Sequence, residues 1–382
     1  MSKFKNFNQN FIFSNRGLAL QAILYFFISM YLVRIFSYDL TNIAFIFLAI
    51  FRSVFLVLTL IFGSVWFYKS IVKKRNKKIR FEGIILLVFT SFIFFIVGEL
   101  IIMFIPRSHG FGTQTLNSKI WNIYYKQINE LGYRDNEFLE PRNSENKKKI
   151  IALGDSFTWG HGVKVDERFS NILQKYLIND AIIYNLGKNG SDTIDQFSRL
   201  LQFKEKPDVL IYQYFLNDID GAAKNNDLKY KFDNVIDKLS YIKMYSIKNS
   251  FLINYIFWSI PALYQDNKNS YYNYLKEAYS NDIIMKEHLA DIRKIINHCK
   301  ENNVNIIVVV FPFLNDLVTS KRLLNPIVNY FDKNNIQTLY ADQLVEGLDI
   351  SERIVNLQDS HPSAYVHGLI AKSLYQILSI NI

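Results

Sequence analysis

The chain holds a single cysteine, Cys299, among 382 residues. No intramolecular disulfide can form, and cysteine usage says nothing of the redox compartment. No Cys/His cluster at metal-ligand spacing is present, so neither a metal nor a cofactor is expected. Histidine is scarce too, with six in the whole chain. Acidic residues are almost missing from the first part: residues 1–106 hold 3 of the 34 acids but 12 of the 44 lysines and arginines, which leaves 31 and 32 for residues 107–382. The net charge of +10 is therefore not carried by the globular part, as it would be in a nucleic-acid binder. It flanks apolar runs, where it acts as a topology signal.

Those runs are what the first part does have. Three apolar stretches, about 17–36, 43–68 and 83–105, read as transmembrane helices of an anchor covering 1–106. At about 1.5 Å per residue the third reaches roughly 35 Å, enough for a hydrocarbon core of about 30 Å. The first run is followed by no small-residue cleavage site and by two further runs, so it is read as retained. Between the second and third lie Lys69, Lys73, Lys74, Arg75, Lys77, Lys78 and Arg80, with no acid among them. The positive-inside rule puts this loop, and with it the N-terminus carrying Lys3, Lys5 and Arg16, in the cytoplasm. Arg34 on the outer side is a minor conflict. Everything after Ile105 then lies outside the cytoplasm in a multi-pass cell-membrane protein. Three spans without an internal repeat argue against a transporter. Arg52 and Glu99 fall within spans, where charges are usually paired or functional. Glu99 lies near its span's end, within reach of the interface, and Arg52 is expected to pair with a neighbour or a partner protein.

Residues 107–147 read as a polar, irregular connector. From there to 382 strands at 149–153, 181–186, 208–214, 305–311 and 337–340 alternate with helices near 166–179, 192–205, 283–303, 319–335 and 364–379. Such alternation predicts an α/β fold, a parallel sheet with helices on both faces and ligands beyond the strands' carboxyl ends. An aromatic-rich insertion, 219–282, interrupts it. Its plain reading is a helical insertion with a small core of its own; its sharper one is a lid or sugar-stacking surface. Its apolar part, 251–263, is too short to span a bilayer but can lie against one.

A serine hydroxyl becomes a nucleophile when a base takes its proton, and the oxyanion that follows needs preorganised donors. Gly154-Asp155-Ser156 comes after a predicted strand and before a helix, although as a turn it also serves to cap. The nucleophile elbow of α/β-hydrolases does not fit, because Thr158 stands where its second glycine belongs. Near the C-terminus, Asp359-Ser-His361-Pro362 places a histidine in a loop before a helix that Pro362 is suited to open, with a carboxylate two residues away. His109, His288 and His298 read as structural or solvated. His367 is expected to pack or cap; His161, close to Ser156 in sequence, could line the site, but a surface place is expected for it.

Ser156 in Gly-Asp-Ser, Gly190 in Asn185-Leu-Gly-Lys-Asn-Gly190-Ser-Asp, Asn217 in Leu216-Asn217-Asp218, and His361 before Pro362 resemble the four ordered blocks of the SGNH (GDSL-like) hydrolases. The resemblance covers about 148–379, interrupted by the insertion. It implies a flavodoxin-like three-layer α/β/α domain over 148–382, with Ser156 as nucleophile, His361 as general base and Asp359 orienting it. The Ser156 and Gly190 N–H groups and the Asn217 side chain would hold the oxyanion. The chain departs from the pattern twice. Phe215 stands where the family often has glycine, which would narrow the pocket. Gln358 stands at the family's usual acid position, with Asp359 one residue later.

The expected function is a serine esterase acting through an acyl-serine on O-acyl esters, O-acetyl first among them, of envelope or extracellular glycans or lipids. The alternatives are an O-acyltransferase to a surface polysaccharide, working with a polytopic acyl-donor protein, and a non-catalytic glycan-binding envelope protein.

Overall fold

Alternating side chains explain the sheet. In Lys148–Leu153 (β1), Ile150 and Ala152 point to one face and Ile151 and Leu153 to the other, as the two-residue repeat of a strand requires. Val209–Tyr214 (β3) and Asn305–Val310 (β4) divide in the same way, and all three bury both sets. Strands covered on both faces read as unbroken apolar runs, which is how they stand in the sequence. With Ala181–Asn185 (β2) and Gln337–Tyr340 (β5) they form a five-stranded parallel sheet in the order β2-β1-β3-β4-β5. This is the doubly wound order whose direction of winding switches between β1 and β3. In the computed structural model of the chain, residues 14–33, 42–72, 79–110, 112–135, 146–230, 235–260, 263 and 265–379 are described.

The core has one cluster per face of this sheet. Thr193–Gln202, Asp282–Glu301 and Leu317–Lys333 pack on the first face through Leu200, Ile292, Ile296, Leu324 and Phe331. Phe169–Tyr176 and the last helix, Ala364–Ser379, pack on the second through Phe169, Leu173, Val366 and Ile370. A short antiparallel pair, Ile354–Asn356 (β6) and Asp359–Pro362 (β7), precedes that last helix. His361, expected in a loop, thus sits in a strand, and the helix starts at Ala364 rather than on Pro362.

The chain divides into two compact units. One contains Met1–Arg107, Gly112–Tyr124 and Asn234–Leu263; the other contains Ser108–Phe111, Tyr125–Asp233 and Tyr264–Ile382, which includes the sheet. The expected insertion is therefore shared between them. The connector, expected to be irregular, holds the helix Leu116–Tyr125, which buries Leu116, Ile120 and Trp121.

The first unit begins with three helices, Asn15–Leu32, Asn42–Phe67 and Ile79–Met103. Among the described residues two stretches are long and apolar enough to cross a membrane, Ile43–Ile71 and Leu86–Met103. The first expected span, 17–36, is an 18-residue helix outside that pair, and its last residues, 34–36, lie outside the described ones. The helices pack through aromatic pairs, Tyr25 with Phe55 and Phe26 with Phe92, and turn large apolar side chains such as Phe27, Phe47 and Phe94 outward.

Candidate active site

β1 delivers the chain to the turn Gly154-Asp155-Ser156. Ser156 opens a four-residue helix, Ser156–Trp159, too short to hold itself. Its neighbours hold it. The Asp155 carboxylate accepts the Phe157 N–H at 2.9 Å, and Gly160, at φ +76°, returns its N–H to the Ser156 carbonyl at 2.9 Å. Gly160 also lies so close to the aliphatic stem of Arg168 that a Cβ would collide with it. Gln213, fully buried on β3, accepts from the Asp155 N–H at 3.1 Å and from Thr158 Oγ1 at 3.0 Å. Arg134 covers the other end, donating to the carbonyls of Trp159, Gly160 and Val163 at 2.7–2.9 Å, its guanidinium 4.4 Å from the Trp159 ring centroid. Those are the acceptors a helix end leaves unpaired.

The β6–β7 pair brings Asp359 and His361. His361 Nε2 lies 2.9 Å from Ser156 Oγ, and His361 Nδ1 lies 2.5 Å from Asp359 Oδ1. With Asp359 ionised, Nδ1 carries the imidazole proton and Nε2 faces the serine hydroxyl as acceptor. Asp359 is fully buried while the His361 side chain keeps 17% exposure, so the relay opens to solvent at its serine end. Burial alone would push the Asp359 carboxyl up, but the His361 charge and hydrogen bond hold it well below the usual carboxylate range. Burial alone would lower His361, but the Asp359 charge and hydrogen bond, helped by Asp155, raise it above its ordinary 6.5.

His161, expected at the surface, is buried in the site. Its Nε2 lies 3.5 Å from Asp359 Oδ2 and 3.3 Å from the His109 carbonyl oxygen, and its ring centroid lies 4.4 Å from that of His361. Burial, then the nearby His361 charge, lowers it to about 4, so it is neutral at ordinary pH. The ligand atoms of His161, Asp359 and His361 lie within 4.8 Å of one another, a spacing also open to a metal ion. The bond between His361 and Asp359, and that from His361 on to Ser156, fit proton relay better.

Gly190 and Asn217 lie just beyond the carboxyl ends of β2 and β3, on either side of β1. The Gly190 loop is tied to the nucleophile turn: the Lys188 N–H, Ser191 Oγ and Arg199 Nη2 all donate to the Gly154 carbonyl, at 3.2, 3.3 and 3.0 Å. Gly190 itself is exposed at φ +69°, with open space where a Cβ would stand. Asn217 is half-buried, and its amide and that of Gln213 act on Asp155, whose carboxyl burial pushes up and these groups partly restore. Phe215 is buried and stacks on Phe157 at 4.2 Å, and the Phe157 ring centroid is 5.4 Å from that of His361. The remaining histidines do not join the relay: His367 accepts the Phe169 N–H at 3.2 Å, His288 Nε2 bonds the Tyr214 hydroxyl at 2.8 Å, and His298 packs against Phe197.

The sequence pattern of the GDSL-like Lipase/Acylhydrolase family matches residues 150–374, more than half of the chain, with Ser156, Gly190, Asn217, Asp359 and His361 inside it. The chain belongs to this family. As an acylhydrolase it is an enzyme of ester chemistry on an α/β scaffold with a parallel sheet. No curated protein matches it. Among solved structures it is similar to a member of the lipolytic protein G-D-S-L family from Veillonella parvula, at 12% identity over 60% of this chain and 98% of that one, with a TM-score of 0.37. The psychrotrophic esterase EstA from Pseudoalteromonas sp. matches at 12% identity over 62% and 100%, TM-score 0.37. A carbohydrate acetylesterase family member from Sinorhizobium meliloti matches at 14% over 61% and 98%, TM-score 0.37.

Two parts of the acylhydrolase site escaped the sequence reading. Arg134 gave no signal beyond its place in an unassigned connector. His161 had one: the glycines on either side of it, both at positive φ, turn the chain back toward Ser156 five residues after leaving it.

Proposed function

We propose that this acylhydrolase is a serine esterase that cleaves O-acyl esters, O-acetyl esters first among them, of envelope or extracellular glycans or lipids. The observation that carries the reading is the unbroken line from Asp359 Oδ1 through His361 to Ser156 Oγ, at 2.5 and 2.9 Å. Ser156 Oγ attacks the ester carbonyl as His361 Nε2 takes its proton, and Asp359 steadies the resulting imidazolium. The Ser156 and Gly190 N–H groups and the Asn217 amide receive the oxyanion, each such donor typically worth about 3–4 kcal/mol in the transition state. His361 then protonates the departing alcohol and activates the water that frees the acid and restores Ser156. The aromatic packing of Phe157 and Phe215 beside the relay favours a short acyl group.

The helices of the first unit are proposed to cross the membrane three times, with the N-terminus and the basic 69–80 loop in the cytoplasm and the sheet-bearing unit outside it. Apolar length in Ile43–Ile71 and Leu86–Met103 supports this, as does the absence of acids from that loop. Substrates at the cell envelope follow from that placement.

The test is labelling of the full-length protein in detergent with a fluorophosphonate probe. Labelling is expected for the parent chain, absent in Ser156→Ala and nearly absent in His361→Ala. A folded parent chain that takes up no probe, while a known serine hydrolase beside it does, sinks the reading.

A further inference from the structure

We propose that the helix pair Tyr241–Asn249 and Phe251–Ser259 is itself a membrane element: it docks on Glu99 below the end of a spanning helix and lays its outer face in lipid. This rests on the membrane reading of the first unit, to which all these residues belong.

Glu99 stands four residues before the end of Ile79–Met103, about 6 Å down the helix at its usual rise. Its carboxylate is fully buried, paired with Arg52 and with the Ser250 hydroxyl, and accepts the N–H groups of Phe251 at 3.2 Å and Leu252 at 2.9 Å. Arg52 is also spent, its Nε donating to the Ser29 carbonyl at 3.1 Å and its guanidinium lying 5.2 Å from the Phe251 ring centroid. One residue earlier, Gly98 makes room for Leu252: a Cβ there would stand 2.8 Å from Leu252 Cδ2. Phe251, fully buried, packs among Phe45, Ala49, Met103 and Ile120.

The polar accounting points to lipid. A chain break between two helices leaves N–H groups bare, and water normally serves them. Here every such group in the first turn has a protein acceptor: Glu99 takes two, and Ser250 Oγ takes the Ile253 N–H at 3.0 Å. Asn254, buried in Phe251–Ser259, accepts the Leu116 N–H and donates to the Ile247 carbonyl. Protein acceptors for the N–H groups that follow a non-helical turn suit hydrocarbon depth, where no water serves them. The outer face carries Ile242 at 77% exposure and Ile256 at 49%, with Ile260 and Leu263 beyond. The exposed Lys243 and Lys248 lie on the first helix, and Tyr255 meets Arg107 at 2.7 Å, groups suited to the headgroup layer.

Full-length chains with Cys299→Ala and one of Val54→Cys, Ile242→Cys, Ile256→Cys or Val318→Cys would carry a nitroxide in phosphatidylcholine/phosphatidylglycerol vesicles. Collision with oxygen reports lipid and collision with a nickel chelate reports water. Val54, outward on Asn42–Phe67, is the spanning reference; Val318, exposed on the sheet-bearing unit, is the aqueous one. At 242 and 256 oxygen contact should exceed nickel contact severalfold, as at 54, and adding Glu99→Ala should move 256 toward the values at 318. Lipid contact at 54 with nickel contact at 242 and 256 overturns the proposal and leaves the membrane reading standing. Shielding of 256 from both probes overturns it in favour of a protein partner. Nickel contact at 54 removes the membrane reading and the proposal together, and indifference of 256 to Glu99→Ala overturns the docking role of Glu99.

Discussion

Each unit of the chain buries a carboxylate against a basic side chain, and the two pairs do different work. Glu99 faces the Arg52 guanidinium and spends its remaining acceptor capacity on Ser250, Phe251 and Leu252. Both side chains are fully buried and no side opens outward, so the cluster can only hold. Asp359 faces His361, which gains and loses its proton near neutrality and whose second nitrogen looks onto a half-buried serine. A buried carboxylate whose acceptor capacity is all spent makes an anchor; one whose histidine partner has an open end offers a relay.

The hardest test of the comparison is to remove the open end. Ser156→Ala should lower kcat by a factor on the order of 10^6, and His361→Ala by nearly as much. The double variant should be no worse than either, because the pair acts as one unit; this is read from ester hydrolysis by purified protein. Asp359→Asn comes next, with a loss of up to roughly 10^4 as the imidazole loses its orienting acceptor. Its pH profile carries the sharper information. The base must be neutral, and Asp359 holds His361 above 6.5, so kcat/KM of the parent should fall as pH drops through that raised value. Without the carboxylate the acid limb should move to lower pH even as the maximum drops. An unmoved limb would mean that Asp359 does not set the base.

The anchor should fail in another currency. Glu99→Ala leaves the Arg52 charge buried and unpaired and strips the cap from Phe251–Ser259, a loss of about 3–5 kcal/mol by analogy with broken buried pairs. Thermal unfolding followed by circular dichroism should show it, while Ser156 still takes up fluorophosphonate at the parent rate. Joint replacement by Arg52→Met and Glu99→Leu should recover part of the loss but not the cap.

What could be read in advance follows the range of the interactions. The strands were legible to within a residue or two because both-face burial writes itself as local apolar runs. The resemblance named Ser156, Asp359 and His361, and the fold sets His361 within hydrogen-bond reach of the other two. The bond between Glu99 and Ser250 joins positions 151 apart in sequence, and no local pattern announces it. That is why Arg52 and Glu99 stood as two unassigned charges and why the insertion read as one piece. The helix Leu116–Tyr125 was within reach, since Leu116, Ile120 and Trp121 mark one helical face, but its polar surroundings hid it.

The smallest expected effect concerns His161, which separates the relay from its support. It is neutral at ordinary pH, because burial lowers it to about 4, so it brings no charge to the site between pH 5 and 9. Its contact with Asp359 Oδ2 is long, 3.5 Å, against 2.5 Å for His361 on Oδ1. A neutral polar contact of that kind is worth at most about 1 kcal/mol, or roughly fivefold in rate. His161→Ala should therefore cost kcat about that much and leave KM alone, with restoration by His161→Gln, whose amide can donate to the same oxygen. A loss as large as that of Asp359→Asn would make His161 a member of the relay rather than its brace. An unchanged kcat would leave Asp359 held by His361 alone, and the left-handed turns at Gly160 and Gly162 would then serve only to pack the site.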